Sequence, residues 1–225
     1  MKHEPSRLVE SDRIVRDVFS IDANTVCVAG RIADYSRELA EADRLRISNS
    51  VNERRQEFST GRYFAKHALS LLGFSSSDPL GLDGRRPVWP KGVTGSISHS
   101  DTLAFVIVSN HPWLKGLGVD IEPATAPPPA INRLVFTRTE LDRISDENRL
   151  FATRLFSAKE AVFKAVNPIA KKMIEFQDVE LEFDGAAYRF SARYTGATSA
   201  NHIMQRGLGL STVYRAHIIS SFLIF

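Results

Sequence analysis

Apolar positions along this chain change their spacing several times, and each change marks an element. From Val51 to Gly73 the residues Phe58, Ala65, Ala68, Leu69 and Leu72 follow helical spacing, and Gly73 supplies a stop. The stretch before it, residues 34 to 50, is charged and rich in Ala and Leu, a weaker helical signal. Ser75-Ser76-Ser77-Asp78-Pro79 reads as a loop, and Gly84-Arg85-Arg86-Pro87-Val88-Trp89-Pro90 holds too much proline for an inner strand. Gly95 to His99 is short and extended. Leu103 to Val108 and Leu117 to Ile121 are apolar, β-branched and short, so both are expected as strands.

Pro123 and Pro127-Pro128-Pro129 then break the chain, which puts a boundary between two halves at roughly 110 to 130. Helical spacing returns from Thr139 to Ile144 and from Arg149 to Val166, ending before Pro168 because proline restricts the residue ahead of it. Val179 to Phe183, the turn Asp184-Gly185 and Tyr188 to Arg193 predict a hairpin, and a last strand pair is expected over Gly209 to Tyr214 and Ala216 to Phe225. Each half therefore runs from helices into strands and ends on an apolar hairpin. The expectation is an α+β chain of two similar lobes, with no sequence repeat between them.

Composition narrows the classes. At 225 residues and 43% hydrophobic content the chain can bury a real core without staples. Cys27 is its single cysteine, which excludes an intramolecular disulfide or a Cys-rich zinc site and points to a reducing, cytoplasmic setting. No apolar run approaches the length of a membrane span, and Met1 to Arg16 has no apolar core of the signal-peptide kind. The formal charge of +3, from 29 basic and 26 acidic residues, is too mild to argue for nucleic acid.

Two stretches carry candidate chemistry. In Gly118-Val119-Asp120-Ile121-Glu122, strand alternation turns Asp120 and Glu122 to one side while Val119 and Ile121 enter the core. In Phe156-Ser157-Ala158-Lys159-Glu160-Ala161-Val162-Phe163-Lys164-Ala165, helical spacing sets Glu160 and Lys164 on one face. Three carboxylates and an ammonium on two rigid elements suit Mg²⁺, which takes a few carboxylates and completes its shell with water and phosphate oxygens. Each residue also has a plainer reading. A half-buried strand alternates polar and apolar residues anyway. Ser157 and Glu160 fit a helix-start capping box, although Arg149 to Phe156 is already helical in pattern. Lys159 and Lys164 could be surface lysines paired with Glu160 and Glu175.

A basic constellation lies upstream. Arg54, Arg55 and Arg62 share a predicted helix; at about 100° per residue Arg55 and Arg62 fall about 20° apart and Arg54 and Arg62 about 80° apart, so either pair could grip a phosphate. Arg85-Arg86 and Ser96-Ile97-Ser98-His99-Ser100 follow, and a His among hydroxyls can donate to phosphate. The plainer readings are a solvated face paired with Glu53 and Glu57, and a loop histidine satisfied by a carbonyl. No phosphate-loop, dinucleotide or zinc-helix motif is present, and Ser96, Ser98 and Ser100 lie in nothing like a nucleophile elbow.

Together these blocks resemble the 4'-phosphopantetheinyl transferases. The Gly118–Glu122 and Phe156–Ala165 stretches look like the signature of that family. Trp89-Pro90-Lys91-Gly92-Val93-Thr94-Gly95-Ser96-Ile97-Ser98-His99, Glu53-Arg54-Arg55-Gln56-Glu57-Phe58 with Gly61-Arg62, and Phe176-Gln177-Asp178-Val179 resemble its surfactin-type and enterobactin-type branch. The resemblance implies two similar lobes, 1–115 and 116–225, related by a pseudo-twofold axis, with the active site and coenzyme A in the cleft between them. It implies Mg²⁺, with Mn²⁺ as a substitute, on Asp120, Glu122 and Glu160. It places coenzyme A phosphates on Arg54, Arg62, Ser98, His99, Lys159 and Lys164, with Arg85 or Arg86 standing in for a loop lysine that relatives carry where Gly81 and Gly84 stand here. Glu160 would be the general base and Lys164 would face the leaving phosphate. The implied reaction makes a holo-carrier protein and adenosine 3',5'-bisphosphate from coenzyme A and an apo acyl or peptidyl carrier, by a monomer with no nucleic-acid or membrane partner. The carrier would dock near 165–176, where Lys171 and Lys172 lie beside Ile169, Met173 and Ile174. The competing readings are a Mg²⁺-dependent nuclease or phosphodiesterase, and a non-catalytic carrier-binding module on the same fold.

Overall fold

The computed structural model describes residues 6–7, 24–75, 80–145, 148–170, 174–185, 189–196 and 201–225. The expectations for most of Met1 to Arg16, for Ser76 to Pro79, for Lys171 to Met173 and for Tyr188 lie outside these residues. The chain divides into two compact units, Met1–Pro112 and Trp113–Phe225.

In the first unit an antiparallel sheet has the order β1 (Ser6–Arg7), β2 (Thr25–Arg31), β6 (Leu103–Ser109), β5 (Thr94–His99). Every residue of β6 is buried, as its unbroken apolar run requires. Two helices, α1 (Glu41–Ile47) and α2 (Asn52–Leu71), precede β3 (Gly81–Asp83) and β4 (Arg86–Val88), a separate hairpin whose turn uses Gly84 at φ +61°. Strand β2 precedes the first segment to which periodicity assigns an element. Helix α2 buries Phe64, Ala65, Ala68 and Leu69 against the sheet residues Val26, Val28, Val106 and Val108. It ends as predicted: Gly73 adopts φ +84°, its N–H donates to Ser70 O and that of Phe74 to Leu69 O, the paired bonds of a glycine-terminated helix.

In the second unit five antiparallel strands run in the order β7 (Gly116–Pro123), β11 (His217–Ile224), β10 (Gly207–Tyr214), β9 (Arg189–Tyr194), β8 (Val179–Asp184). Between β7 and β8 come α3 (Pro129–Val135), α4 (Arg138–Leu141) and the long α5 (Arg149–Ala170); α6 (Asn201–Met204) precedes β10. The proline run does not simply break the chain, because Pro129 opens α3, where a missing N–H costs nothing. Helix α5 passes through Pro168 rather than stopping before it. Proline there forgoes one bond near the helix end, and Ile169 and Ala170 still pack against the core.

Candidate active site

The position of α5 on β7 is set by glycine. A Cβ on Gly118 would stand 1.9 Å from the carbonyl oxygen of Ala161, so only glycine lets the helix lie this close. Strand alternation puts Gly116, Gly118, Asp120 and Glu122 on the side that α5 covers. Asp120 is 3% exposed, and Lys164 Nζ donates to its Oδ1 at 2.8 Å. Glu160 lies between these groups electrostatically: burial raises its pKa first, Lys164 opposes that rise, and the charge of Asp120 adds to it. Asp120 and Lys164 are thus in contact, and the charges of both act on Glu160.

Glu122 extends the same strand by two residues, is half-buried and sits opposite Ile218 of β11. Among the described residues no three His, Cys, Asp or Glu side chains form a ready-made metal-holding group. The expected set Asp120, Glu122 and Glu160 is present on β7 and α5 without forming such a group, and the Lys164 ammonium occupies one oxygen of Asp120. The donor set still fits Mg²⁺. One or two carboxylates suffice when phosphates complete the shell, and the burial and repulsion that hold Glu160 toward its neutral form are what a divalent cation relieves.

The capping-box reading of Ser157 and Glu160 falls. Helix α5 starts at Arg149, and Ser157 is fully buried within it, its Oγ without a hydrogen-bond partner among the described residues. A real capping box stands at Thr137: its Oγ1 accepts from Glu140 N–H, and Glu140 Oε2 accepts from Thr137 N–H.

Lys159 is also not where it was expected. Its side chain is 0% exposed, and Nζ donates to the carbonyls of Val135, Phe176 and Val179 and pairs with Glu140 Oε2 at 2.6 Å. Burial lowers its pKa, and Glu140 opposes that. All its donors are spent inside the fold, which corrects the expectation of a phosphate contact.

The cations of the first unit sort in the same way. Arg62 is 4% exposed and grips Asp43 with two nitrogens, at 3.0 and 3.1 Å, while also donating to the carbonyls of Leu80 and Gly81. Its expected phosphate contact is corrected too, since that fork is already closed on a buried carboxylate. Arg54 remains open at 50% exposed; its Nη1 lies 3.2 Å from Glu57 Oε2 and 3.5 Å from His99 Nε2. His99 Nε2 is itself 3.7 Å from Glu57 Oε2. Arg55 instead reaches Asn52 Oδ1, so Arg54 rather than Arg55 is grouped with His99, and neither is paired with Arg62. Ser98 is buried on β5, and exposed Arg86 pairs with Asp83 across the β3–β4 turn. Asp43 carried no sequence signal. Glu140 did, as the last residue of Thr137-Arg138-Thr139-Glu140, a capping-box pattern.

Two family models match this chain: the 4'-phosphopantetheinyl transferase N-terminal domain over residues 41–109, and the 4'-phosphopantetheinyl transferase superfamily over 116–211. With its two sheet-bearing units and the Asp120–Glu160–Lys164 arrangement, the chain belongs to the 4'-phosphopantetheinyl transferase family. Among its relatives are 4'-phosphopantetheinyl transferase Npt of Nocardia iowensis, 30% identical over 71% of this chain and 75% of that protein, and PptT of Mycobacterium tuberculosis, 30% identical over 66% of each. A third, Svp of Streptomyces mobaraensis, is 36% identical over 65% of this chain and 62% of its own length. The matched region thus spans slightly under two thirds of the PptT and Svp proteins. Among the described residues no helix is long and apolar enough to cross a membrane.

Proposed function

We propose that this chain transfers the 4'-phosphopantetheine group of coenzyme A to a serine of an apo acyl or peptidyl carrier protein, giving holo-carrier and adenosine 3',5'-bisphosphate. The observation that carries this reading is the Asp120–Glu160–Lys164 arrangement between β7 and α5, in a chain of this family. A bond forms between the serine oxygen and the β-phosphorus of coenzyme A. The bond from that phosphorus to the bridging oxygen breaks, and its electron pair leaves on the 5'-phosphate of the nucleotide.

Glu160 takes the serine proton as the carboxylate on α5 on which the charges of Lys164 and Asp120 act. Lys164 sets a fixed positive charge where the leaving phosphate gains negative charge. Mg²⁺, or Mn²⁺ in its place, held by Asp120, Glu122 and Glu160, would add Lewis-acid neutralisation of the diphosphate. In the first unit Arg54 and His99 bind further phosphate oxygens, and Ser98 and Arg86 are further contacts that the family resemblance implies. The first unit is in this reading the phosphate-binding half, and the second holds the metal and meets the carrier near 165–176.

The test is incubation with Mg²⁺, coenzyme A and a panel of apo-carriers, followed by mass spectrometry. A phosphopantetheinyl addition on a carrier serine is the expected result. Coenzyme A binding without any transfer would favour a non-catalytic carrier-binding module, and Mg²⁺-dependent DNA cleavage without coenzyme A a nuclease.

A further inference from the structure

Glu140 takes no part in that chemistry, yet it is 0% exposed and fully engaged. Its Oε1 accepts from Leu181 N–H of β8 at 2.9 Å, and its Oε2 accepts from Thr137 N–H at 2.9 Å and from Lys159 Nζ. The Lys159 ammonium then reaches the carbonyls of Val135 at the end of α3, Phe176 in the short 3₁₀ turn over Phe176–Asp178, and Val179 at the start of β8. One ion pair therefore ties four segments of the second unit to a single point on α5.

That point adjoins the site. Lys159 precedes Glu160 in the helix, and Lys164 lies little more than a turn further on. Contact at Gly118 fixes how closely α5 approaches β7, and the apolar contacts of Leu155, Val162 and Val166 oppose a roll of the helix without the directionality of a hydrogen bond. Lys159 blocks the roll, because its ammonium has four oxygens it must keep in a dry interior. Rolling α5 would swing Glu160 and Lys164 away from Asp120 and strand that ammonium at once.

We infer that the Glu140–Lys159 pair is a positioning device: it sets the rotation of α5 and so aims Glu160 and Lys164 at Asp120. The inference rests on the proposed function only for what the aimed groups do. Groups that orient a metal ligand from behind typically alter metal affinity or turnover by about 10- to 100-fold when removed.

The test compares wild type with Glu140→Gln, Lys159→Met and the double variant, which removes both charges. Mn²⁺ binding is followed by electron paramagnetic resonance in the presence of coenzyme A, with kcat and KM for transfer and thermal unfolding measured alongside. Phe190→Leu, a core change on β9 that removes none of the pair's hydrogen bonds, serves as a control of lowered stability. The expected result is Mn²⁺ affinity and kcat lowered about tenfold or more in folded protein. KM for coenzyme A should stay near wild type, the Phe190→Leu control should keep wild-type Mn²⁺ affinity, and the double variant should recover stability but not Mn²⁺ affinity. Variants that match wild type in Mn²⁺ affinity and kcat, or that change only as Phe190→Leu does, overturn the inference. Wild type that binds Mn²⁺ but transfers nothing overturns the proposed function and leaves this inference to be decided by the affinities. Wild type that binds no Mn²⁺ overturns both.

Discussion

Lys159 and Lys164 stand five residues apart in one ten-residue motif on α5, and the fold treats them in opposite ways. Lys159 is sealed among four oxygens, whereas Lys164 is 30% exposed and reaches across to Asp120 at 2.8 Å. The long helix of the first unit repeats the contrast, with Arg62 closed on Asp43 and Arg54 open beside His99. Each long helix thus carries one cation sealed inside the fold and one that stays partly exposed beside a carboxylate. Residue type does not separate the two roles; the face of the helix on which the side chain emerges does.

If that contrast is right, its largest consequence is on stability. Lys159→Ala leaves the Glu140 carboxylate buried without its cation and should cost about 3–5 kcal/mol, read from urea unfolding. A loss below about 1 kcal/mol would mean that Lys159 behaves like an exposed lysine and the comparison fails.

Lys164→Ala should show the reverse pattern. Transfer should fall about 10²- to 10³-fold through loss of a fixed charge at the leaving group, while the protein stays folded by circular dichroism. Turnover within a few-fold of wild type would remove Lys164 from the proposed site.

A middle-sized effect is expected from Gly118→Ala. Its Cβ would meet the Ala161 carbonyl, so α5 must lift from β7 at a cost of about 1–3 kcal/mol. If turnover drops with stability, the approach of helix to strand matters to the site as well as to the fold.

Glu160 sharpens the comparison through pH. Its folded pKa is raised, by burial first and by Asp120 in addition, so the metal-free folded state binds its proton more tightly than the unfolded chain does. Its contribution to stability is full below the ordinary glutamate range and is lost as pH rises through the folded value. Metal-free Glu160→Gln should therefore melt above wild type at neutral pH, with the gap closing as pH falls below the ordinary glutamate range. A gap that persists unchanged into acid would show that charge is not its cause.

The smallest stability effect belongs to Arg54→Ala. Half-exposed and paired only at the surface, it should shift stability by less than about 1 kcal/mol. Under the proposed function the same change raises KM for coenzyme A, whereas an unchanged KM would leave His99 without its expected partner.

Much of this was legible beforehand. The period of α2 and its Gly73 stop, the unbroken apolar run of β6 and the alternation of β7 all follow from local backbone preference and burial on one or two faces, which neighbouring residues encode directly. Strand β2 and the path of α5 through Pro168 were not, because a partner strand in one case and core packing in the other outweigh the local signal. In the candidate site, spacing alone set Asp120 on one side of a strand and Glu160 and Lys164 on one face of a helix, and only the family resemblance joined them into one site. Lys159 and Arg62 were misplaced since each is surrounded by groups distant in sequence, Glu140 and Val179 for one, Asp43 and Leu80 for the other.

Spacing along the chain was enough to set Asp120 and Glu122 on one side of a strand and Glu160 and Lys164 on one face of a helix, since strand and helix periods are properties of the backbone. It could not say which cation of each helix is spent inside the protein. That depends on which face meets the sheet and on the carbonyls waiting there, and a buried ammonium or guanidinium must be satisfied wherever packing puts it. Glycine at 118 lets α5 come down on β7, Glu140 receives Lys159, and Lys164 is left facing Asp120.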